Sequence, residues 1–125
     1  MIIGIGIDVC EIARFERVLH RTPTLRRRLF TAIEQDLPMS SLAARFAAKE
    51  ALAKSLGAPP GLRWTDATVH RGEYGAPRLE VVGTVAERAA ELGVTHWHVS
   101  LTHDGGLASA VVLAERRDTS HSAVR

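Results

Sequence analysis

The chain has 125 residues, of which 46% are hydrophobic, so it is long enough for one domain with one core but not for two. Its formal net charge is only +2, and its single cysteine, Cys10, excludes an intramolecular disulfide and favours a reducing, cytoplasmic location. Asp8 interrupts the apolar start, so we expect no signal peptide, and no apolar run is long enough to cross a membrane.

The first half of the chain is predicted to contain one strand followed by helices. The β-branched residues of segment 2–7 predict a buried strand that ends at Asp8. Gly4 and Gly6 lie inside this strand, where glycine indicates the close approach of another backbone. Apolar residues then recur at helical spacing in segments 11–19, 25–35 and 40–56, with breaks at Thr22-Pro23 and at Gly57.

The second half is predicted to contain two hairpins with a helix between them. The helix begins at Thr84, with Glu87 completing a capping box, and ends at Gly93. The strands of the two hairpins are expected at residues 64–70, 78–82, 96–103 and 107–114.

Helices and hairpins are mixed along the chain rather than strictly alternating. This order favours an α+β fold with an antiparallel sheet packed against helices over a doubly wound parallel sheet. We expect a single domain over residues 1–115, because no linker interrupts it. Residues 116–125 have almost nothing to bury, which predicts a polar, disordered tail.

One predicted helix combines acidic and basic residues with small residues between them. Residues 45–54 read Arg-Phe-Ala-Ala-Lys-Glu-Ala-Leu-Ala-Lys, so Glu50 and Lys54 lie one helical turn apart, with Arg45 and Lys49 on the same or a neighbouring turn. The alanines between them leave room for a large group to approach. A carboxylate among cations suits a metal ion with a polyanion, whereas an ordinary surface ion pair is the alternative.

Two other segments supply what this helix lacks. Asp8 follows an apolar strand, at the edge of the core, although by itself it could simply cap the next helix. Residues 98–103 read His-Val-Ser-Leu-Thr-His, and strand alternation places Ser100 on a polar face and His103 on the opposite face, next to a Gly-Gly turn.

Two alternative sites built from these residues are weaker. A zinc site from His96, His98 and His103 would draw its ligands from both faces of the strand, and the chain has no second cysteine. A nucleophilic triad from Ser100, His103 and Asp8 would lack a nucleophile elbow.

Together these features predict chemistry at a diphosphate. The hard oxygen ligands of Asp8 and Glu50 favour Mg²⁺ over zinc, and Mg²⁺ bound by few carboxylates usually completes its shell with water and substrate phosphate. The residue types that would bind such a polyphosphate are present in Arg45, Lys49, Lys54 and His103.

Basic residues crowd one other region of the chain. Such a cluster favours an acidic partner surface or a phosphate-bearing ligand, although a single arginine there could be an ordinary solvated side chain. Nucleic acid is a weaker candidate, because no DNA- or RNA-binding motif is legible. The cluster consists of Arg14, Arg17, His20, Arg21, Arg26, Arg27 and Arg28.

Three motifs in this order resemble the holo-[acyl-carrier-protein] synthases, the short bacterial type of 4′-phosphopantetheinyl transferase. They are Ile5-Gly6-Ile7-Asp8, the Arg-Phe-Ala-Ala-Lys-Glu-Ala run that begins at Arg45, and the segment 98–103. The resemblance covers about residues 1–115. It implies transfer of 4′-phosphopantetheine from coenzyme A to a serine of an apo acyl carrier protein, with adenosine 3′,5′-bisphosphate as the second product, and so a place in fatty-acid or related biosynthesis.

The resemblance also assigns roles to residues. It makes Asp8 and Glu50 the Mg²⁺ ligands, Lys54 and His103 contacts of the diphosphate, and Arg45 a neighbour of the 3′-phosphate. Glu50, Lys54 and His103 would be catalytic, and the proton acceptor is either Glu50 or a water on the metal. Further coenzyme A contacts are expected at Lys49, Gly75, Pro77 and Ser100, and contacts with the carrier at Arg14, Arg21 and Arg26.

The family resemblance further implies a homotrimer with active sites between subunits. The chain departs from the family pattern in two places: Thr102 stands where serine is common, and segment 31–42 is shorter than usual. Two other functions stay open, namely a Mg²⁺-dependent hydrolase of nucleotide diphosphates and a carrier-binding module without activity. The sequence does not indicate which type of carrier protein is preferred.

Overall fold

The computed structural model describes residues 1–118, which contain four α-helices and five strands. Short 3₁₀ turns at Trp64–Asp66 and Glu73–Gly75 flank the second strand. The strands are β1 (Ile2–Glu11), β2 (Ala67–Arg71), β3 (Pro77–Val81), β4 (His96–Asp104) and β5 (Leu107–Glu115), and the helices are α1 (Ile12–Arg21), α2 (Leu25–Leu29), α3 (Met39–Ser55) and α4 (Gly83–Leu92).

The strands form an antiparallel sheet of three and a separate hairpin. The sheet has the order β1-β5-β4, and β2 pairs with β3. Helix α3 packs across one face of the sheet, where the inward residues of β5 are fully or almost fully buried, and this arrangement confirms the α+β prediction. These residues are Ala108, Ala110, Val112 and Ala114.

Gly4 and Gly6 set how closely α3 approaches the sheet. A side-chain carbon added to Gly4 would overlap the carbonyl oxygen of Ser55, and one added to Gly6 would overlap that of Ala51. The prediction of close backbone approach is therefore confirmed. Since alternate residues of a strand share a face, the next residue on the α3 side of β1 is Asp8.

Strand β1 differs from its prediction in length and in burial. It continues through Asp8 to Glu11, because β5 offers backbone partners as far as Leu107. Its outer face is not buried: Ile5, Ile7 and Val9 are 63%, 66% and 59% exposed. The helices cover the other face of the sheet, so within residues 1–118 the outward side chains of β1 stay largely exposed.

The second predicted helix is shorter than expected. It ends at Leu29 rather than near Gln35, and Phe30 is extended. The Thr31 N–H donates to the Glu34 carboxylate at 3.0 Å. This carboxylate also binds groups from distant elements, so tertiary contacts override the local helical pattern.

Helix α4 is capped differently from the prediction. The backbone N–H and the hydroxyl of Thr84 both donate to the Asp66 carboxylate, at 2.8 and 2.7 Å, and the capping box with Glu87 is wrong. Asp66 lies in the 3₁₀ turn that replaces the start of the predicted strand. The Asp66 carboxylate therefore binds the start of the helix in place of the predicted pair of Thr84 and Glu87. The prediction that the helix ends at Gly93 is confirmed by its left-handed backbone.

The body of the protein extends slightly beyond the predicted boundary at residue 115. The backbone N–H of Arg116 donates to the Met1 carbonyl at 2.8 Å, and that of Arg117 to the Thr95 hydroxyl at 2.9 Å. The rest of the predicted disordered tail, residues 119–125, lies outside the described residues. Over residues 1–118, no helix combines the length and hydrophobicity needed to span a membrane.

Candidate active site

Asp8 and Lys54 meet where β1 crosses α3, and Glu50 lies one helical turn before Lys54. Asp8 lies on the face of β1 that packs against α3, and the Lys54 ammonium donates to its Oδ1 at 3.0 Å. The same ammonium donates to the Ile7 carbonyl at 3.0 Å, so two of its three hydrogens are used and one stays available to a ligand. The half-exposed Lys54 side chain leaves this cluster accessible from solvent.

Glu50 belongs to the same cluster, because the charges of Asp8 and Lys54 both affect its pKa. Partial burial raises the pKa of Glu50, the nearby Asp8 charge raises it further, and Lys54 lowers it. A carboxylate whose pKa is raised by burial and by a second carboxylate lies where a bound cation would favour its charged form. The prediction that Asp8 and Glu50 lie together is therefore supported by the effect of the Asp8 charge on Glu50.

This pair has the chemistry of a magnesium site rather than a zinc site. Across residues 1–118, no group of three or more histidine, cysteine or carboxylate side chains is arranged to hold a metal ion. Mg²⁺ needs only one or two protein carboxylates, because water and substrate phosphate complete its shell. Asp8 and Glu50 fit this requirement, whereas the zinc alternative finds no ligand set among these residues.

Lys49 does not belong to this surface, although it precedes Glu50 in sequence. Its side chain is 1% exposed, and its ammonium donates to the Glu34 carboxylate at 2.7 Å, the Leu29 carbonyl at 2.7 Å and the Trp64 carbonyl at 3.2 Å. All three of its hydrogens are therefore used inside the protein. The pKa of Lys49 lies below its ordinary value because burial disfavours the charged ammonium, and Glu34 offsets only part of this effect. The position of Lys49 argues against the prediction that it binds coenzyme A.

Arg45 faces the β2–β3 hairpin instead of Asp8. Its Nε donates to the Val69 carbonyl at 3.1 Å, and its Nη1 to the Ser41 carbonyl at 3.4 Å. The pKa of Arg45 is lowered, mainly by partial burial and further by the Arg71 charge, whereas the Glu34 charge opposes the shift. The charges of α3 thus lie on separate sides of the helix rather than on one shared surface.

The turn with the predicted substrate contacts Gly75 and Pro77 lies at the end of this hairpin. Gly75 has a left-handed backbone, and a side-chain carbon there would lie 3.8 Å from Arg71 Nε. Arg71 is exposed and shares a strand face with Val69, which Arg45 contacts. The Arg71 guanidinium therefore lies near the turn that was predicted to contact substrate, and its charge also acts on Arg45.

The chain does not bring Ser100 and His103 to the Asp8 cluster. Ser100 pairs with Val111, which pairs with Ile7, so Ser100 lies on the outer face of the sheet. His103 lies on the α3 side but on the far strand, about 10 Å from β1 across two strand spacings. Within one subunit, these two residues are apart from Asp8.

The basic cluster divides between exposed and structural residues. Arg14 and Arg21 are exposed on α1, as expected of a docking surface, whereas Arg26 donates to the Gln35 carbonyl at 2.9 Å and is partly buried. Beside them a groove of about 490 Å³ lies between β1, α1, α2 and α3. Its lining includes Arg14 and the apolar side chains of Val9, Phe15, Val18, Phe46 and Trp64.

Sequence reasoning missed Glu34 and Arg71. Glu34 is fully buried and binds Lys49, and Arg71 lies near Arg45. Glu34 lies near the end of the predicted helix 25–35, and the helical spacing of that segment gives no sign that its carboxylate is buried. Arg71 follows the predicted strand 64–70, and only the folding of the β2–β3 hairpin brings its charge near Arg45.

Comparisons with known proteins agree with these motifs. A family model described as the 4′-phosphopantetheinyl transferase superfamily matches residues 4–112. The holo-[acyl-carrier-protein] synthase of Streptomyces griseus is 65% identical over 121 residues, covering 92% of this chain and 99% of the relative. That of Micrococcus luteus is 56% identical over 119 residues, covering 94% of both chains.

A solved structure has the same fold. The Helicobacter pylori holo-[acyl-carrier-protein] synthase in complex with coenzyme A has a TM-score of 0.78 and 30% identity, covering 89% of this chain and 99% of that one. The match to the family model spans most of the chain, and the two relatives are identical to it at more than half of the aligned residues. The chain therefore belongs to the 4′-phosphopantetheinyl transferase superfamily and, within it, to the holo-[acyl-carrier-protein] synthases.

Proposed function

We propose that this protein transfers 4′-phosphopantetheine from coenzyme A to a serine of an apo acyl carrier protein. The serine Oγ forms a bond to the phosphorus that bears pantetheine, and the bond from this phosphorus to the bridging oxygen breaks. That oxygen leaves with adenosine 3′,5′-bisphosphate, and the serine proton passes to a base. The family membership and the matched relatives support this reaction.

The convergence of Asp8, Glu50 and Lys54 is the observation that carries the proposal. Asp8 and Glu50 would hold Mg²⁺, which would neutralise negative charge on the diphosphate when bound. The remaining hydrogen of the Lys54 ammonium would donate to a phosphate oxygen, which stabilises charge that builds up on the leaving group. The serine proton would pass to Glu50 or to a water held by the metal.

The separation of Ser100 and His103 from Asp8 supports an active site shared between subunits. The outer face of the sheet exposes Ile5, Ile7 and Val9, an apolar surface that a second subunit could cover. A homotrimer would let the β4 residues of one subunit approach the Asp8 cluster of the next. We therefore keep Ser100 and His103 in the proposed site, as residues contributed across an interface.

The carrier would dock on α1. Exposed Arg14 and Arg21 offer positive charge to an acidic helix, and the adjacent groove offers an apolar surface. Arg26 would act less directly, because its guanidinium binds the Gln35 carbonyl. We place the reaction in the cytoplasm, where a single unpaired cysteine is stable.

The test is to incubate the protein with apo carrier protein, coenzyme A and Mg²⁺ and to follow the mass of the carrier. We expect the carrier to gain one phosphopantetheine group, and EDTA to abolish the gain. Cleavage of coenzyme A without carrier would instead favour the hydrolase. Binding of the carrier without any change in mass would favour the inactive module.

A further inference from the structure

Glu34 is a fully buried carboxylate that the proposed chemistry does not use. It lies in the segment between α2 and α3 and is 0% exposed. Its Oε1 accepts hydrogen bonds from the Thr31 N–H at 3.0 Å, the Thr31 hydroxyl at 3.3 Å and the Lys49 ammonium at 2.7 Å. Its Oε2 accepts the Val69 N–H at 2.8 Å. One side chain thus joins its own loop, α3 and β2.

The Glu34–Lys49 pair is complete without a ligand. The Lys49 ammonium donates its other two hydrogens to the carbonyls of Leu29 and Trp64. Buried ion pairs are often no more stabilising than apolar residues of similar size, because desolvation offsets their attraction. The net contribution of the pair to folding therefore does not explain the arrangement by itself, whereas its directional bonds fix the relative position of three elements.

Val69 is where this network reaches Arg45. The backbone N–H of Val69 donates to Glu34 Oε2, and its carbonyl accepts from Arg45 Nε at 3.1 Å. Glu34 and Arg45 therefore hold the two polar groups of the same strand residue. If Glu34 released the N–H, the carbonyl that orients the guanidinium would lose its fixed position.

The negative charge of Glu34 also favours the position that Arg45 occupies. Arg71 is a nearby cation that repels Arg45, and Glu34 is the anion that opposes this repulsion. Arg45 uses two of its five N–H hydrogens on the carbonyls of Val69 and Ser41. The other three stay available to an anion only while the guanidinium keeps this orientation.

We propose that Glu34 is a positioning residue that, through Val69, holds Arg45 in the orientation that binds the anionic nucleotide end of coenzyme A. Glu34 itself touches no substrate. The assignment rests on the proposed function, because coenzyme A supplies the anion. The family resemblance makes Arg45 a neighbour of the phosphate on the ribose, while Asp8, Glu50 and Lys54 are the residues proposed for the diphosphate.

A double-mutant cycle between Glu34→Gln and Arg45→Ala tests this assignment. The measurement is the dissociation constant of adenosine 3′,5′-bisphosphate with Mg²⁺ at fixed ionic strength, by calorimetry. We expect Glu34→Gln to weaken binding about tenfold when Arg45 is present, as expected for loss of a charge-assisted contact. With Arg45→Ala in place, we expect the same change to weaken binding less than about twofold, because Glu34 would act only through Arg45.

Two controls separate positioning from a general loss of stability. Val85→Ala removes buried volume on α4 and should lower the melting temperature without changing nucleotide affinity. If Glu34→Gln does not fold, Glu34→Gln with Lys49→Met leaves no uncompensated charge in the core and carries the same expectation.

Additive losses in the cycle would overturn the positioning role, as would equal losses with Val85→Ala. Wild-type protein that bound no nucleotide would overturn the proposed function as well. Wild-type binding with an additive cycle would overturn only the assignment of Glu34.

Discussion

The Lys54 ammonium donates to Asp8 Oδ1 at 3.0 Å, although the two residues are 46 positions apart in the chain. The contact exists because Gly4 and Gly6 let β1 lie directly against the backbone of α3. Asp8 follows them on the same face of the strand and so meets the last turns of the helix. This crossing builds the proposed site from two segments that do not adjoin in sequence.

Glu50→Gln should lower the rate of transfer by about 100-fold or more, because the change removes a ligand of the ion that stabilises the diphosphate. The fold should persist, since the neutral side chain has nearly the same shape and removes a like charge near Asp8. The check is kcat with apo carrier protein, together with circular dichroism. Glu87→Gln, on the exposed surface of α4, is the matched control and should be fully active. Unchanged turnover in Glu50→Gln would remove Glu50 from the metal site.

The stability of the metal-free protein should carry a pH dependence from Glu50. Burial and Asp8 raise the pKa of this carboxyl in the folded state, so the folded protein binds more protons than the unfolded chain between the two pKa values. The contribution of Glu50 to stability is therefore favourable at low pH and falls as pH rises through this window. Asp66 and Glu115 have lowered pKa values and contribute with the opposite sign.

Comparison with Glu50→Gln isolates this contribution. Urea midpoints in EDTA should show the wild type losing stability relative to Glu50→Gln as pH rises above the ordinary range of a glutamate carboxyl, because the pKa of Glu50 is raised in the folded state. Added Mg²⁺ should reverse the trend, because a cation favours the charged carboxylates. A stability difference that did not change with pH would contradict the raised pKa.

Arg14→Glu should raise the KM for carrier protein by about tenfold at low salt, because it reverses a charge on the proposed docking surface. The effect should shrink as salt increases, since exposed charges are screened. The KM for coenzyme A should stay the same. Arg78→Glu, on the opposite face of the β2–β3 hairpin from Arg71, makes the same charge change away from α1. An equal effect of both changes would reject the docking role of Arg14.

Ile7→Asp should dissociate the proposed trimer, because it buries a charge in an apolar interface. Sedimentation should show a smaller species, and activity should fall if the site is shared between subunits. Ile33→Asp changes a residue of similar exposure in the loop before α3 and should leave the assembly intact. A monomeric wild type with full activity would contradict the shared site.

Local patterns were reliable where the chain needed only its neighbours. The left-handed Gly93 ends α4 as expected, and the alternation of residues 98–103 places Ser100 and His103 on opposite faces of β4. The Thr84 capping box failed because Asp66, from a distant turn, offers a better acceptor. The second helix was overextended because the carboxylate of Glu34 holds Thr31 in a turn.

The amino-acid sequence by itself determined the family, the pairing of Asp8 with Glu50 as candidate ligands, and the class of fold, because these depend on residue types at fixed spacing. Tertiary structure decided which charges of α3 are available. Lys49 and Glu50 are neighbours in sequence, but one residue along a helix rotates the side chain by about 100°, so Lys49 points into the core and Glu50 toward Asp8. Helical spacing shows that two side chains lie close, and only the packing around the helix decides which of them can reach a ligand.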